Sequence, residues 1–257
     1  LWERNNHPAE SILTPVTCTI IAKNEVDRIA RAIESVRGLV DEILIIDSGS
    51  TDGTQALAES LGARVVFNEW VGYGQQKRFA EDQARNDWIL NLDADEWLSD
   101  ELRAELFGLL ATPPRVSTYK MRVTIVYPHR ERPAPFADST ICLRLYDKTR
   151  ARFRDSTVHD NVPQERDTMM LRGRVWHKSF RSLADVVRKE LVYFELQQSV
   201  KRKSRVELLL RLPIEFPWQF FRYYVLARHA FGGAYGFAAA SVLAFMRFMR
   251  VVILLKW

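Results

Sequence analysis

The stretch DWILNLDADEW (residues 87–97) sets the fold: an apolar, β-branched run that ends abruptly in three acidic residues, Asp93, Asp95 and Glu96. A short apolar run bounded by polar residues reads as a buried strand. In an open parallel sheet, ligands bind beyond the carboxyl ends of the strands, which is where this acidic cluster falls. Two carboxylates at i and i+2 beside a strand end can approach one divalent ion, and that ion can hold a diphosphate. Hard oxygen ligands of this kind suit Mg²⁺ or Mn²⁺. The plain alternative is a solvated acidic turn that caps the next helix.

Upstream, the same kind of run recurs as VTCTIIA (16–22), EILIID (42–47) and ARVVF (63–67). Between the runs lie helical patterns at residues 25–37, 52–61 and 74–85, with apolar residues three and four apart. Alternating strands and helices predict βαβ units and a mostly parallel sheet flanked by helices. A fourth helix is expected from Ser99, a capping residue followed by Asp100 and Glu101. After Thr112-Pro113-Pro114, strand-like pieces follow: STYKMRVTIVY, TICLRLYDK, ARFRD and RGRVWH. They are expected to extend the sheet and wall a site. A capping box at Ser182 and Asp185 opens a helix predicted to reach about Ser204. Pro213 and Pro217 then punctuate an aromatic-rich segment before an apolar end. The boundaries expected are an extension at 1–15, a catalytic domain at 16–177 (nucleotide-binding part 16–111, acceptor-side strands 112–177) and a basic, aromatic helical region at 178–257.

The composition, 47% hydrophobic and 27% charged over 257 residues, is that of a globular protein and excludes collagen-like and disordered classes. Cys18 and Cys142 sit far apart in apolar runs, so two buried thiols in a reducing cytosol are expected rather than a disulfide framework. Residues 1–15 are polar and predict no signal peptide. The charge is uneven. From Lys178 onward there are 14 Lys and Arg against 5 Asp and Glu, a net of +9, which leaves −4 of the total +5 for the rest. A basic tail with interleaved aromatics suits an anionic membrane surface. The uncharged stretch 230–246 falls short of the ~20 residues of a spanning helix and is followed by Arg247 and Arg250, which favours helices lying in the bilayer interface.

Two further loops belong beside the acidic cluster. The first strand runs into Ala22-Lys23-Asn24-Glu25, and the second into Asp47-Ser48-Gly49-Ser50-Thr51-Asp52-Gly53-Thr54. A carboxylate at the second strand's end can accept a hydrogen bond from a base imide, and small residues let backbone approach a ligand closely. Asp52 is read as the cap of the following helix.

AKNE, IDSGSTDGT and NLDADE, in this order and spacing, resemble the family 2 inverting glycosyltransferases of the A-type fold. KNEVDRIARAIESV, GYGQQKRFA, DWILNLDADEWLS, VHD and WHKSF resemble more narrowly the lipopolysaccharide-core β-1,4-glucosyltransferase group. The resemblance implies that Asp47 binds uracil, with Ala22, Asn24 and Glu25 beside the base and ribose. It implies that Asp93 contacts ribose or sugar, that Asp95 is the principal metal ligand, and that Lys77 meets the uridine or diphosphate. Two adjacent basic residues of one helix, Lys77 and Arg78, cannot both point inward. UDP-glucose as donor, an inner-core heptose on lipid A as acceptor and the cytoplasmic face of the inner membrane as location are further implications.

Inverting transfer needs a general base for the acceptor hydroxyl. Asp160, in the string Thr157-Val158-His159-Asp160, is the leading candidate; the group that the chain resembles usually has His-Glu here, so Asp is a shorter version of the expected base. Glu96, Asp138, Asp155 and Asp167 are rivals. His159 is assigned to the base or the acceptor, and His177 to the metal or the diphosphate. The competing readings are transfer to polyprenyl phosphate and a non-enzymatic binder of membrane or nucleic acid through Lys201–Arg205. A glycosidase pair does not account for the nucleotide loops, and no GxxxxGK[ST] phosphate loop occurs.

Overall fold

The computed structural model describes residues 14–156, 162–163, 166–188, 191 and 204–255. They divide into two compact units: 14–123 with 140–177, and 124–139 with 178–255. The first carries β1 (Val16–Ala22), α1 (Ile29–Val36), β2 (Glu42–Asp47), α2 (Thr54–Ser60), β3 (Arg64–Phe67), α3 (Tyr73–Gln83), β4 (Trp88–Asp93), β5 (Glu96–Leu98) and α4 (Asp100–Leu110). Strands β6 (Thr118–Ile125), β7 (Ser139–Asp147) and β8 (Thr168–His177) complete an eight-stranded mixed sheet of order β3-β2-β1-β4-β7-β6-β8-β5.

Strands β3, β2, β1 and β4 are mutually parallel, while β7 runs antiparallel to β4 and β5 antiparallel to β8. Because side chains alternate along a strand, Cys18, Ile20 and Leu90 face one apolar layer with α1 and α4, while Leu44, Ile46 and Ile89 face another with α3. A parallel sheet covered on both sides explains why these strands read as nearly unbroken apolar runs. The order reverses at β1: the chain first builds outward to β2 and β3, then returns to place β4 on the other side. Such a switch point opens a crevice at the strand ends. In register, Ala22 lies opposite Asp47, and Ile21 opposite Asp93. The three strand ends are therefore level.

Ser99 caps α4 as expected, accepting from the Leu102 amide at 3.2 Å. The expected strand ARFRD does not form. Its alternation is instead a buried loop: Phe153 is fully covered, and its N–H donates to the Glu81 carboxylate at 2.9 Å rather than to a strand. Strand β5 carries no sequence signal of its own, being three residues inside the acidic turn. It pairs Glu96 with His177, Trp97 with Trp176 and Leu98 with Val175.

In the second unit, Asp185 N donates to Ser182 Oγ at 3.1 Å and residues 183–188 are helical. The rest of the predicted helix toward Ser204 lies, apart from Leu191, outside the described residues. Two long helices follow, α5 (Arg205–Phe221) and α6 (Gly233–Leu255), packed against each other. Pro213 and Pro217 do not interrupt the first of them. Each removes one backbone donor, and the helix continues because its inner residues, Leu208, Glu215 and Gln219, remain buried against its partner. Residues 229–255 form one segment long and apolar enough to cross a membrane by length and composition.

Candidate active site

The loop after β2 is organised by its own first residue. Asp47 is fully buried, and its carboxylate accepts from the amides of Gly49 and Ser50, both at 2.8 Å, from Ser50 Oγ and from Gln55 Nε2. Gly49 sits at φ +87°, a conformation that other L residues rarely adopt. The loop after β1 is tied to it: Asn24 N donates to Ser50 Oγ at 2.8 Å and Thr51 N to Asn24 Oδ1 at 2.9 Å. Glu25 N donates to Thr54 Oγ1, and Val26 N to Asp52 Oδ2. Asp52 also accepts from Thr54 N at 3.0 Å, at the start of α2. Asp52 is exposed, and its slight desolvation is outweighed by the bonds it accepts from Thr54 and Val26, which keep its pKa below the ordinary value. The expected nucleotide loops thus form one interlocked surface at the switch point.

Beside them stands a charged cluster at the ends of β4, β5 and β8. Lys77 on α3 is buried, and its Nζ lies 2.8 Å from Asp93 Oδ1. Its neighbour Arg78 points elsewhere, donating to the Phe153 carbonyl at 3.0 Å, as helix geometry requires. Arg144, on β7 beside β4, reaches Asp93 Oδ2 at 3.3 Å, the Glu96 carboxylate and Asn91 Oδ1 at 2.9 Å. Glu96 also accepts from the Asp93 amide at 3.1 Å. Burial would raise the Asp93 carboxyl, yet Lys77 and Arg144 outweigh it and hold its pKa well below the usual carboxylate range. Glu96 is raised, because its burial and the neighbouring Asp93 and Asp95 prevail over Arg144. Arg144 is lowered by burial but raised more by Glu96 and Asp93, so it stays charged.

Asp95 stands in a different setting. Its Oδ1 is 3.3 Å from His177 Nε2, at the end of β8, and its Oδ2 is 3.2 Å from Arg28 Nη1. Arg28 in turn donates through Nε to Glu25 at 2.8 Å. Burial would lower the imidazole's pKa, but the bond to Asp95 and the charges of Asp95, Glu96 and Asp93 raise it. A carboxylate oxygen from the turn after β4 and an imidazole nitrogen from the end of β8 converge at Asp95 and His177, a pair of donors that could hold a divalent ion. Asp93 has its two oxygens on the buried cations Lys77 and Arg144, whereas Asp95 would exchange its contacts with His177 and Arg28 for the ion. Among the described residues no three His, Cys, Asp or Glu side chains group as a metal cage, so an ion here would take its remaining ligands from water and substrate.

The structure thus brings Ala22, Asn24, Glu25, Asp47, Lys77, Asp93, Asp95 and His177 to one strand-end surface. His159 and Asp160 lie outside the described residues. Of the rival carboxylates, Glu96 is buried against Arg144, Asp155 and Asp167 are exposed, and Asp138 belongs to the second unit. Arg28 lies within the KNEVDRIARAIESV stretch but has no role assigned from sequence, and Arg144 carries no motif that marks it. The usable signal for Arg144 is an arginine in the middle of an apolar strand, TICLRLYDK, which must find a carboxylate once buried.

Residues 17–170 match the family described as Glycosyl transferase family 2. The chain belongs to this family. A glycosyltransferase of Rickettsia felis is 39% identical to it, with 92% of this chain and 88% of the relative covered. The lipopolysaccharide core biosynthesis glycosyltransferase LpsC of Rhizobium meliloti is 33% identical, with 81% of each chain covered. Among solved structures, it is similar to glucosyl-3-phosphoglycerate synthase from Mycobacterium tuberculosis in complex with Mn²⁺ and UDP-glucose, at 26% identity and a TM-score of 0.37. That match covers 49% of this chain, and the chain spans about half the length of the solved protein.

Proposed function

We propose that this chain is an inverting UDP-sugar transferase that adds a sugar, glucose, to a lipid-linked saccharide, an inner-core heptose of lipopolysaccharide, at the cytoplasmic face of the inner membrane. The observation that carries the reading is the acidic cluster of β4 and β5, clamped by Lys77 and Arg144, beside two interlocked loops at the switch point. The similarity to a lipopolysaccharide core transferase supports the acceptor class.

In this reading the loops of Ala22, Asn24, Glu25 and Asp47 receive the uridine. Asp47 acts by fixing the loop, since Oδ1 holds three donors and Oδ2 one; contact with a uracil imide falls to the remaining lone pair of Oδ2. Asp93, fixed by its two cations, presents its remaining acceptor capacity to a ribose or sugar hydroxyl. Asp95 and His177 would hold Mg²⁺ or Mn²⁺, which when bound supplies positive charge to the departing diphosphate. Lys77 contributes cationic field from below. Asp160 takes the acceptor hydroxyl proton as the oxygen attacks the anomeric carbon from the face opposite UDP, and His159 orients it. The basic second unit, with its exposed aromatic and aliphatic side chains, keeps the enzyme on the membrane that holds its acceptor.

The test is transfer from radiolabelled UDP-glucose to heptose-terminated lipopolysaccharide, with polyprenyl phosphate in parallel. Label in lipopolysaccharide, lost in Asp160→Asn while UDP binding persists, supports the reading. Label in polyprenyl phosphate alone replaces the acceptor, and near-normal turnover by Asp160→Asn removes the base assignment.

A further inference from the structure

Within the second unit, a cleft of about 240 Å³ opens between α5 and α6. Arg211, Glu215, Gln219 and Arg222 line it from α5 and the turn that follows, and Arg247 and Arg250 line it from α6. The first four recur at spacings of four, four and three, which puts them on one helix face. Glu215 is 5% exposed, and its carboxylate is already engaged: Oε2 accepts from Arg211 Nε at 3.0 Å and Nη2 at 2.9 Å, and Oε1 accepts from Gln219 Nε2 at 3.0 Å. Four guanidinium groups thus line the cleft together with the Glu215 carboxylate; Arg211 Nη1 also lies 3.7 Å from Glu207 Oε1, and Arg247 Nε donates to Tyr223 Oη at 3.2 Å. The other end of the same amide, Gln219 Oε1, is buried with no hydrogen-bond partner among the described residues. A buried acceptor without a partner is costly unless water or a ligand completes it.

We propose that this cleft binds the phosphate of a lipid headgroup that also carries a hydroxyl. Arginine forks match phosphate oxygens bidentately, and Gln219 Oε1 offers an acceptor to a hydroxyl next to the phosphate ester. The cleft is smaller than the ~300 Å³ at which pockets for whole small molecules begin, so it takes a headgroup rather than a nucleotide. The lipid source follows from the same helix. Val206, Leu210, Ile214 and Trp218, at four-residue spacing along α5, are each more than half exposed and give acyl chains an apolar surface beside the charged one. The proposal concerns the membrane side of the function above, and its test uses no nucleotide, so its failure leaves the donor reading untouched.

The full chain is co-sedimented with vesicles of phosphatidylcholine containing phosphatidylglycerol, and with phosphatidylcholine alone, while free glycerol phosphate is titrated calorimetrically. Wild type is expected to favour the phosphatidylglycerol vesicles. Arg247→Gln/Arg250→Gln is expected to lose about tenfold or more in that affinity, and Arg247→Lys/Arg250→Lys to lose severalfold because charge without the fork is insufficient. If the Gln pair fails to fold by circular dichroism, Arg222→Gln at the far end of the cleft is expected to lose severalfold instead. Undiminished binding by the Lys pair reduces the effect to bulk charge and overturns the proposal. Binding of free glycerol phosphate as tight as that of vesicles overturns the lipid assignment.

Discussion

Arg144 serves two carboxylates at once, and the two respond to its loss differently. Glu96 is 1% exposed and Asp93 about one-third exposed in its side chain. Replacing Arg144 with Met leaves Glu96 buried without its cation, while Asp93 keeps Lys77. Removing one partner from a buried pair costs about 3–5 kcal/mol, so Arg144→Met is expected to lower stability by that amount in urea denaturation. The double variant Arg144→Met/Glu96→Gln is expected to recover a large part of it. A loss below ~1 kcal/mol for the single change would match an exposed pair instead. The same cluster sets a pH dependence. Asp93 has a depressed folded pKa, so its contribution is complete above the unfolded carboxylate value of ~4 and is lost as pH falls through its folded value. Glu96 is raised and acts oppositely, its contribution being lost as pH rises from the unfolded value through the raised one. Asp93→Asn is therefore expected to flatten the acid limb of a stability curve, and an unchanged limb would remove Asp93 from that role. At this scale the motif residues were readable because their spacing after a strand carries chemical meaning. The pairings of Arg28, at the start of α1, with Asp95 and of Arg144, on β7, with Asp93 and Glu96 were not, because they depend on which elements the sheet order sets side by side.

Strand β8 carries His177 to the site, and its seating depends on a glycine. A Cβ at Gly173 would lie 2.3 Å from Leu102 Cα and 2.5 Å from its amide nitrogen, in the backbone of α4. The Gly173 N–H also donates to Glu105 Oε2 on that helix at 2.9 Å. Because backbone cannot yield as a flexible side chain does, Gly173→Ala is expected to cost about 3 kcal/mol and to weaken metal-dependent donor binding by shifting His177. A denaturant midpoint within error of wild type would contradict the contact. Four parallel strands, their helices and the Ser99 cap were legible from apolar periodicity and capping chemistry. The segment 151–155 was not: Ala151 and Phe153 alternate with charged residues as a strand would, but the partner of the Phe153 amide is the Glu81 side chain. Strand β5 was hidden for the reverse reason, since three residues in an acidic turn carry no period to read.

For the chain as a whole, charge is uneven, net −4 before Lys178 and net +9 from it onward, and in the proposed function the first part takes the donor and the second the membrane-held acceptor. Leu210 and Ile214 are 71% and 61% exposed on α5. Burial of such a side chain in the bilayer interface is worth about 1.5 kcal/mol or more, so Leu210→Glu/Ile214→Glu is expected to reduce vesicle partitioning at least about tenfold. UDP binding should stay at the wild-type level. Retained partitioning would place the membrane contact elsewhere. The charge asymmetry was legible in the composition, whereas the passage of α5 through Pro213 and Pro217 became visible only with its inner face packed on α6. The central claim is that the strand-end surface of the first part holds a UDP-sugar through a divalent ion, and calorimetric titration tests it most directly. Purified protein is titrated with UDP-glucose, UDP-galactose, UDP-N-acetylglucosamine and ATP, each with Mn²⁺ and with chelator. The account predicts Mn²⁺-dependent binding of UDP-glucose that is abolished in Asp95→Ala, with no binding of ATP; absence of UDP-sugar binding under every condition would contradict it.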